Sequence, residues 1–462
     1  MKKTLLQTIL LWILLMVVSL SAMGENNRRS AKDVVMQLKN QIEIEELYET
    51  FSPLMQQSIA KEQLLQLWSQ IELLGGEILT VEESPVQTLG TLSIYSAVLM
   101  MEKQNFIFTV TYNQDDLIEG MAITPLEEEK QQPIETETPT LPEGIEEYAV
   151  TINQSPWELT GTITLPVEKE EKIPGVVLVH GSGPQDQNEK IGEISPFRDI
   201  AWGLAKEGIA SIRYDKRTYL YGNEMVQTFG EELSVQEEVV EDAVSAAKVL
   251  AAFQGVEEKQ LFIVGHSLGA MLTPRIAKEA LSQDISFRGM ILLAGTPKSL
   301  VDITVSQNQA VIHGDAKIIQ EQKTTLLTQI DNEKKVYDTL LALPKEETLG
   351  KTVFGQPAYY FWEMDHYPLL QSIETLSLPM LILQGEEDFH VSMKDGLLAW
   401  KEYLADVDKV EYKSYADLNH LFVKYEGEEE HRYTLKEYDT PGTVDTRVIK
   451  DIGQFIFDNR EE

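Results

Sequence analysis

Between Ala31 and Trp68 the apolar residues recur at three- and four-residue steps: Val34, Val35, Leu38, Ile42, Leu47, Leu64, Leu65, Leu67 and Trp68. That spacing predicts amphipathic helix, interrupted at Ser52-Pro53. From Gly75 to Pro125 the period shortens to that of a strand. Leu92 to Met101, Phe106 to Tyr112 and Leu117 to Ile123 are rich in β-branched and aromatic residues. Lys103-Gln104-Asn105 and Asn113-Gln114-Asp115 separate them as turns. Helices followed by an antiparallel meander predict a small α+β domain over residues 25–125. It holds no histidine, so binding, dimerisation or spacing are its expected roles.

Leu126 to Gly144 (LEEEKQQPIETETPTLPEG) is rich in Glu, Pro and Thr and has no apolar period, which predicts a stiff charged linker. From Ile145 the pattern changes again. Glu147 to Ile152 and Leu159 to Leu165 read as an opening hairpin. Gly175 to Val179, Ile209 to Arg213, Leu261 to Val264, Met290 to Leu293, Met380 to Leu383 and Val410 to Tyr415 read as short strands. Most are continuous apolar runs, as strands buried on both faces should be. Helical stretches such as Glu237 to Phe253 lie between them. The alternation predicts an α/β domain over 145–462, a mostly parallel sheet with helices on both sides. Between residues 297 and 375 the rhythm breaks into amphipathic helices and the aromatic stretch Tyr359-Tyr360-Phe361-Trp362. An insertion there would cap the carboxyl ends of the strands.

The N-terminus is different. Lys2 and Lys3 precede an uncharged, Leu-rich stretch that ends in small residues at Ala22 and Gly24. Residues 1–24 therefore read as an export signal cleaved after Ala22 or Gly24, or as an uncleaved anchor. Either places the bulk of the protein outside the cytoplasm, secreted or on the surface. There is no cysteine, which excludes disulfides, thiolate metal sites, a cysteine nucleophile and lipoprotein attachment. Of 462 residues, 39 are Lys or Arg and 75 are Asp or Glu, a formal charge of −36. So anionic a surface repels phosphate backbones, and no nucleic acid partner is expected. The only membrane contact expected is through an uncleaved N-terminal segment.

Gly265-His266-Ser267-Leu268-Gly269 lies between the apolar strand Leu261 to Val264 and a helical segment, Ala270 to Leu281. G-x-S-x-G in that setting is a sharp turn that lifts a serine hydroxyl above a sheet. A nucleophilic serine needs a base and an orienting acid. Of seven histidines, His266 lies within the elbow and His180 ends a strand. His313 and His366 fall in the insertion, and His431 in a charged run. His390 lies two residues beyond an acid better suited to orient the base. His420, just after the last strand, remains. Gln384-Gly385-Glu386-Glu387-Asp388 supplies the acid, and Asp388 is favoured over Glu386 and Glu387. An oxyanion needs preorganised N–H donors. The backbone of Leu268 is one, and the loop His180-Gly181-Ser182-Gly183-Pro184 supplies the other, with Ser182 as the candidate.

These motifs together resemble the α/β-hydrolase superfamily, and more narrowly secreted bacterial carboxylesterase-type hydrolases with an N-terminal accessory domain. The resemblance includes His180 to Pro184 continuing to Asp186, Arg213-Tyr214-Asp215-Lys216-Arg217, Gly265 to Gly269, Leu383-Gln384-Gly385 with Asp388, Asn419-His420 and Tyr438-Asp439-Thr440-Pro441-Gly442. The group's relatives include prolyl-oligopeptidase-like peptidases and cinnamoyl or feruloyl esterases. The resemblance implies the α/β-hydrolase fold with a helical cap, a Ser267–Asp388–His420 triad, hydrolysis of a small carboxylic ester, and neither cofactor nor metal. A peptidase or acyltransferase with the same triad, or a silent binding protein, are the rivals. Tyr359, Trp362 and Tyr367 are candidates for the substrate pocket, and Asp215, Lys216 and Arg217 for a structural network at a strand end. Oligomeric state is not legible.

Overall fold

The computed structural model describes residues 28–126 and 140–460, less 41–43, 59–60, 62–63, 66–67, 69–70, 73–74, 85, 90–91, 104, 154, 169–170, 315–319 and 355. The segment read as an export signal or anchor, and most of the predicted linker, lie outside the described residues. Among the described residues, no helix is long and apolar enough to cross a membrane. The chain divides into two compact units, residues 1–138 and 139–462.

In the first unit the predicted helical stretch is broken into helices Ala31–Asn40, Ile44–Glu49 and Pro53–Ser58. Proline is well placed at the first position of the third, where its missing N–H is no loss. Five strands follow: β1 (Ile78–Glu83), β2 (Gln87–Leu89), β3 (Leu92–Met101), β4 (Phe106–Tyr112) and β5 (Ile118–Pro125). They form an antiparallel sheet in the order β1-β3-β4-β5, with β2 also paired to β3. Phe106, Phe108 and Val110, alternate residues of β4, join Val34, Val35, Leu38 and Leu47 in one apolar core, as the two-residue period of a half-buried strand requires.

The second unit is built on eight strands. β6 (Ile145–Ile152) and β7 (Leu159–Pro166) form the predicted hairpin. β8 (Ile173–Val179), β9 (Ala210–Tyr214), β10 (Val256–His266) and β11 (Phe287–Leu293) follow. The short hairpin β12 (Thr352–Val353) and β13 (Gln356–Pro357) precedes β14 (Met380–Gly385) and β15 (Val410–Tyr415). The large sheet runs β15-β14-β11-β10-β8-β9-β7-β6. β7 pairs antiparallel with both β6 and β9; the other pairs are parallel.

Successive residues of the central strands enter opposite cores. Val177, Val179, Ile263 and Leu292 pack on one face against helices Glu241–Ala251 and Leu268–Ser282. Val176, Leu178, Phe262, Val264 and Ile291 pack on the other against Pro196–Lys206 and Thr446–Asp458. The apolar runs read from sequence are continuous because both faces are covered. The insertion between β11 and β14 contains helices Leu300–Gly314, Gln320–Leu341, Ala358–Asp365 and Leu369–Leu376 around the small hairpin. It has an apolar cluster of its own: Val301, Tyr337, Leu340, Val353, Ala358 and Phe361.

Because the first unit's core is drawn wholly from residues 31–123, a fragment beginning at Pro139 should fold alone. It should melt cooperatively and keep the aromatic circular dichroism of the second unit. A fragment that binds hydrophobic dye and melts without a transition would show that the two units share a core.

Candidate active site

At the end of β10 the chain turns from strand into helix over a single residue. Ser267 has φ 53° and ψ −115°, a left-handed conformation that costs a non-glycine residue roughly 1–2 kcal/mol. Packing on both sides holds it. A Cβ on Gly265 would lie 2.3 Å from the Gly269 carbonyl oxygen and 2.3 Å from Thr273 Oγ1. A Cβ on Gly269 would lie 2.2 Å from the carbonyl oxygen of Val179, at the end of β8. The glycines of the motif are therefore demanded by contact with rigid backbone. The Ser267 N–H donates to the Leu293 carbonyl at 2.9 Å, which ties the turn to β11. Leu268 opens the helix, and a first-turn N–H has no intrahelical acceptor.

Asp388 follows β14 and is buried. Its Oδ1 accepts the backbone N–H groups of His390 and Val391, both at 2.8 Å. Its Oδ2 accepts Gln384 Nε2 at 2.7 Å and His420 Nδ1 at 2.8 Å. A proton on Nδ1 leaves His420 Nε2 as the basic nitrogen. Glu386 and Glu387 turn elsewhere: Glu386 accepts Ser414 Oγ at 2.7 Å, and Glu387 pairs with Arg432 at 3.2 Å and with the Tyr433 hydroxyl. The loop bearing His420 is shaped by Asn419, whose Oδ1 accepts the N–H groups of Leu421 and Val423 at 3.1 Å each. Gly385 lets this loop touch the acid loop, since a Cβ there would lie 2.2 Å from the Leu418 carbonyl oxygen.

The sequence reading did not single out Glu189. It is buried at φ 52°; its Oε1 accepts the Gly181 N–H at 2.6 Å and meets His266 Nδ1 at 3.0 Å. His266 Nε2 lies 2.9 Å from the His420 carbonyl oxygen. Both ring nitrogens thus face acceptors, the pattern of a protonated imidazole. Burial pushes the His266 imidazole down, but the Glu189 carboxylate outweighs it and raises it above its ordinary value. Burial pushes Glu189 up, and the charge and hydrogen bond of His266 more than reverse that. This ion pair joins three pieces of the site: the elbow, the loop after β8 and the main chain of His420. A lone Glu in a loop carries no periodic or motif signal that could have marked it.

The loop after β8 leaves Ser182 exposed and Gly181 buried. His180 is buried and contacts the Asp186 carbonyl oxygen through Nε2 at 3.1 Å. The candidate pocket residues separate. Tyr367 lines a cavity of about 130 Å³ together with Met271, Leu272, Arg275, Leu369 and Tyr403, one helical turn beyond Ser267. Tyr359 and Trp362 stack on one another, and Trp362 stacks on His366 at 3.9 Å, away from that lining. Arg275 in the cavity is neutralised by Glu363 at 2.7 Å. Arg213, Asp215 and Arg217 are absorbed in structure: Arg213 pairs with Glu147 at 2.8 Å, Asp215 accepts the Gln187 N–H at 2.7 Å, and Arg217 pairs with Asp242.

Burial is the main reason the His180 imidazole is pushed down to about 4. The unfolded chain takes up a proton near pH 6.5 that the folded chain refuses, so this stability is complete above that pH and drains as pH falls toward 4. The loss is about 1.4 kcal/mol per pH unit within that window. Urea titrations of wild type and His180→Asn at intervals from pH 7 to 4 should show a slope shallower by about one proton in the variant. Parallel slopes would contradict the assignment.

A serine on a strand–helix elbow, a buried acid–imidazole pair and a sheet order that sets β10 between β8 and β11, with β14 next beyond, are the marks of an α/β-hydrolase. The family match and a sequence relative agree. The serine aminopeptidase S33 family matches residues 174–427, more than half of the chain. A family described as a protein of unknown function, DUF3887, matches residues 31–121. Esterase EstD of Thermotoga maritima is 32% identical over 365 residues, 79% of this chain and 79% of its own. Among solved structures, Est1E from Butyrivibrio proteoclasticus aligns with a TM-score of 0.41 at 13% identity, covering 67% of this chain and 98% of its own. Brefeldin A esterase, a bacterial homologue of human hormone-sensitive lipase, aligns with a TM-score of 0.39 at 15% identity over 70% of this chain and 79% of its own. With a family match that runs from β8 through the His420 loop, the chain belongs to the serine aminopeptidase S33 family of α/β-hydrolases.

Proposed function

We propose that this protein is a secreted serine hydrolase that cleaves small carboxylic esters through Ser267, His420 and Asp388. The observation that carries the reading is the 2.8 Å contact of His420 Nδ1 with a carboxylate held by three further donors, in a loop that His266 ties to the elbow. The esterase activity in the name of EstD supports the choice of ester.

His420 Nε2 accepts the Ser267 proton as Oγ attacks the ester carbonyl. The oxyanion rests on the backbone N–H groups of Leu268 and Ser182. The imidazolium returns its proton to the departing alcohol, leaving an acyl-serine. Water, deprotonated by the same nitrogen, releases the acid. Asp388 stabilises the charged ring without taking its proton. Every step balances with water as the one co-reactant, so no cofactor is invoked. The family's description as serine aminopeptidases favours a second reading, cleavage of an N-terminal aminoacyl bond.

The chain from Glu25 onward, assayed on p-nitrophenyl esters of increasing acyl length, should show a chain-length optimum. Ser267→Ala and His420→Ala should each lower kcat by about 10⁴- to 10⁶-fold, and Asp388→Asn by somewhat less. A silent Asp388→Asn beside dead Glu386 or Glu387 variants would move the acid. Serine-dependent cleavage of aminoacyl anilides with no ester turnover would favour the peptidase. Recovery of the expressed protein from the culture medium tests export.

A further inference from the structure

Lys216 follows β9 in sequence, yet its side chain is 2% exposed. Its ammonium makes three contacts, as many as it has protons. It donates to the Gly181 carbonyl at 2.9 Å and to the Gly183 carbonyl at 3.0 Å, and it pairs with Glu238 Oε1 at 2.6 Å. The two carbonyls belong to the loop that carries the proposed oxyanion donor.

The Gly181 carbonyl and the Ser182 N–H are opposite ends of one peptide group. In a trans peptide they point in opposite directions. Whatever grips the carbonyl therefore aims the N–H. A cation on the carbonyl also draws electron density from the amide, and hydrogen bonds in such a chain strengthen one another. The second carbonyl, Gly183, precedes Pro184, which has no N–H to aim; that bond holds the loop's far end. The preceding peptide is fixed separately by the bond from Gly181 N–H to Glu189.

We infer that Lys216 is a positioning residue of the oxyanion hole, aiming and polarising the Ser182 N–H through the Gly181 carbonyl. The inference rests on the proposed serine-hydrolase function. Its counterion extends the device into the cap. Glu238 lies in a π-helical turn, Gln236–Val240, and its Oε2 accepts the Tyr360 hydroxyl at 2.6 Å. Tyr360 belongs to the cap helix Ala358–Asp365. A hydrogen-bonded line thus runs from the cap through Glu238 and Lys216 to the peptide that meets the oxyanion, so the seating of the cap bears on transition-state charge.

The test is steady-state hydrolysis of p-nitrophenyl butyrate by Lys216→Met in the full secreted chain, with folding checked by circular dichroism. We expect kcat to fall roughly 10- to 100-fold, less than the 10²- to 10³-fold loss of a direct donor, with KM within about threefold. Affinity for an alkyl trifluoromethyl ketone, whose serine adduct places an oxyanion in the hole, should fall by the same factor. A general loosening of the loop would raise KM with kcat and leave the two losses unequal. Lys216→Met with kcat and ketone affinity within twofold of wild type overturns the inference. If Lys216→Met does not fold, Tyr360→Phe decides. It removes one hydroxyl and should lower kcat three- to tenfold at constant KM, and an unchanged kcat overturns the inference. No serine-dependent turnover by wild type would overturn the proposed function itself, and the role of Lys216 with it.

Discussion

The contact between Gly269 and the end of β8 governs the hydrolase unit. With no Cβ at Gly269, the helix that starts at Leu268 can press directly on the Val179 carbonyl. That closeness leaves room for only one residue between β10 and its helix, and that residue is Ser267 at φ 53°. It also sets the loop after β8 beside the serine. A Cβ built on Gly181 would stand 3.2 Å from the Ser267 Cβ. Ser267 and the loop after β8 are thus brought together by backbone contact, before any side chain orients them.

Around that contact the site is assembled by charged groups that do not react. Glu189 and His266 tie the loop after β8 to the main chain of His420. Lys216, paired with Glu238, holds the same loop through the Gly181 and Gly183 carbonyls. Buried charges are costly unless paired and fully hydrogen-bonded. Here each partner serves a second group besides its counter-charge, and the result is a rigid frame for the backbone.

Much of this could be read from the chain. All eight strands of the large sheet were legible, because runs such as Val176–Val179 and Met380–Leu383 are apolar without interruption. The elbow was legible because its glycines answer to local backbone geometry. The preceding strand placed the acid among Glu386, Glu387 and Asp388, the two glutamates reading as solvated charge, and in the structure Asp388 accepts four hydrogen bonds, one of them from His420. The first unit's helical stretch read as one element interrupted at Ser52-Pro53; among the described residues it includes helices Ala31–Asn40, Ile44–Glu49 and Pro53–Ser58, the last starting at that interruption. Glu189 and Lys216 were illegible as partners of the loop. Their contacts join residues 8 and 35 positions apart, and no periodicity reports a fold-dependent pairing. The cap aromatics were ambiguous for a similar reason: whether Trp362 meets the cavity depends on how the helix Ala358–Asp365 is rolled, and Tyr367 lies in the turn after it.

The cap's own apolar cluster has a consequence for how such a chain can change. Val301, Tyr337, Leu340, Val353, Ala358 and Phe361 pack chiefly on one another, and the insertion leaves and rejoins the sheet at adjacent strands, β11 and β14. Substitutions within it can reshape the cavity that Met364, Tyr367 and Leu369 line while the sheet, elbow and acid loop keep their contacts. A change of that lining is thereby confined to one module with a core of its own, and the two cores on either side of the sheet are left as they are.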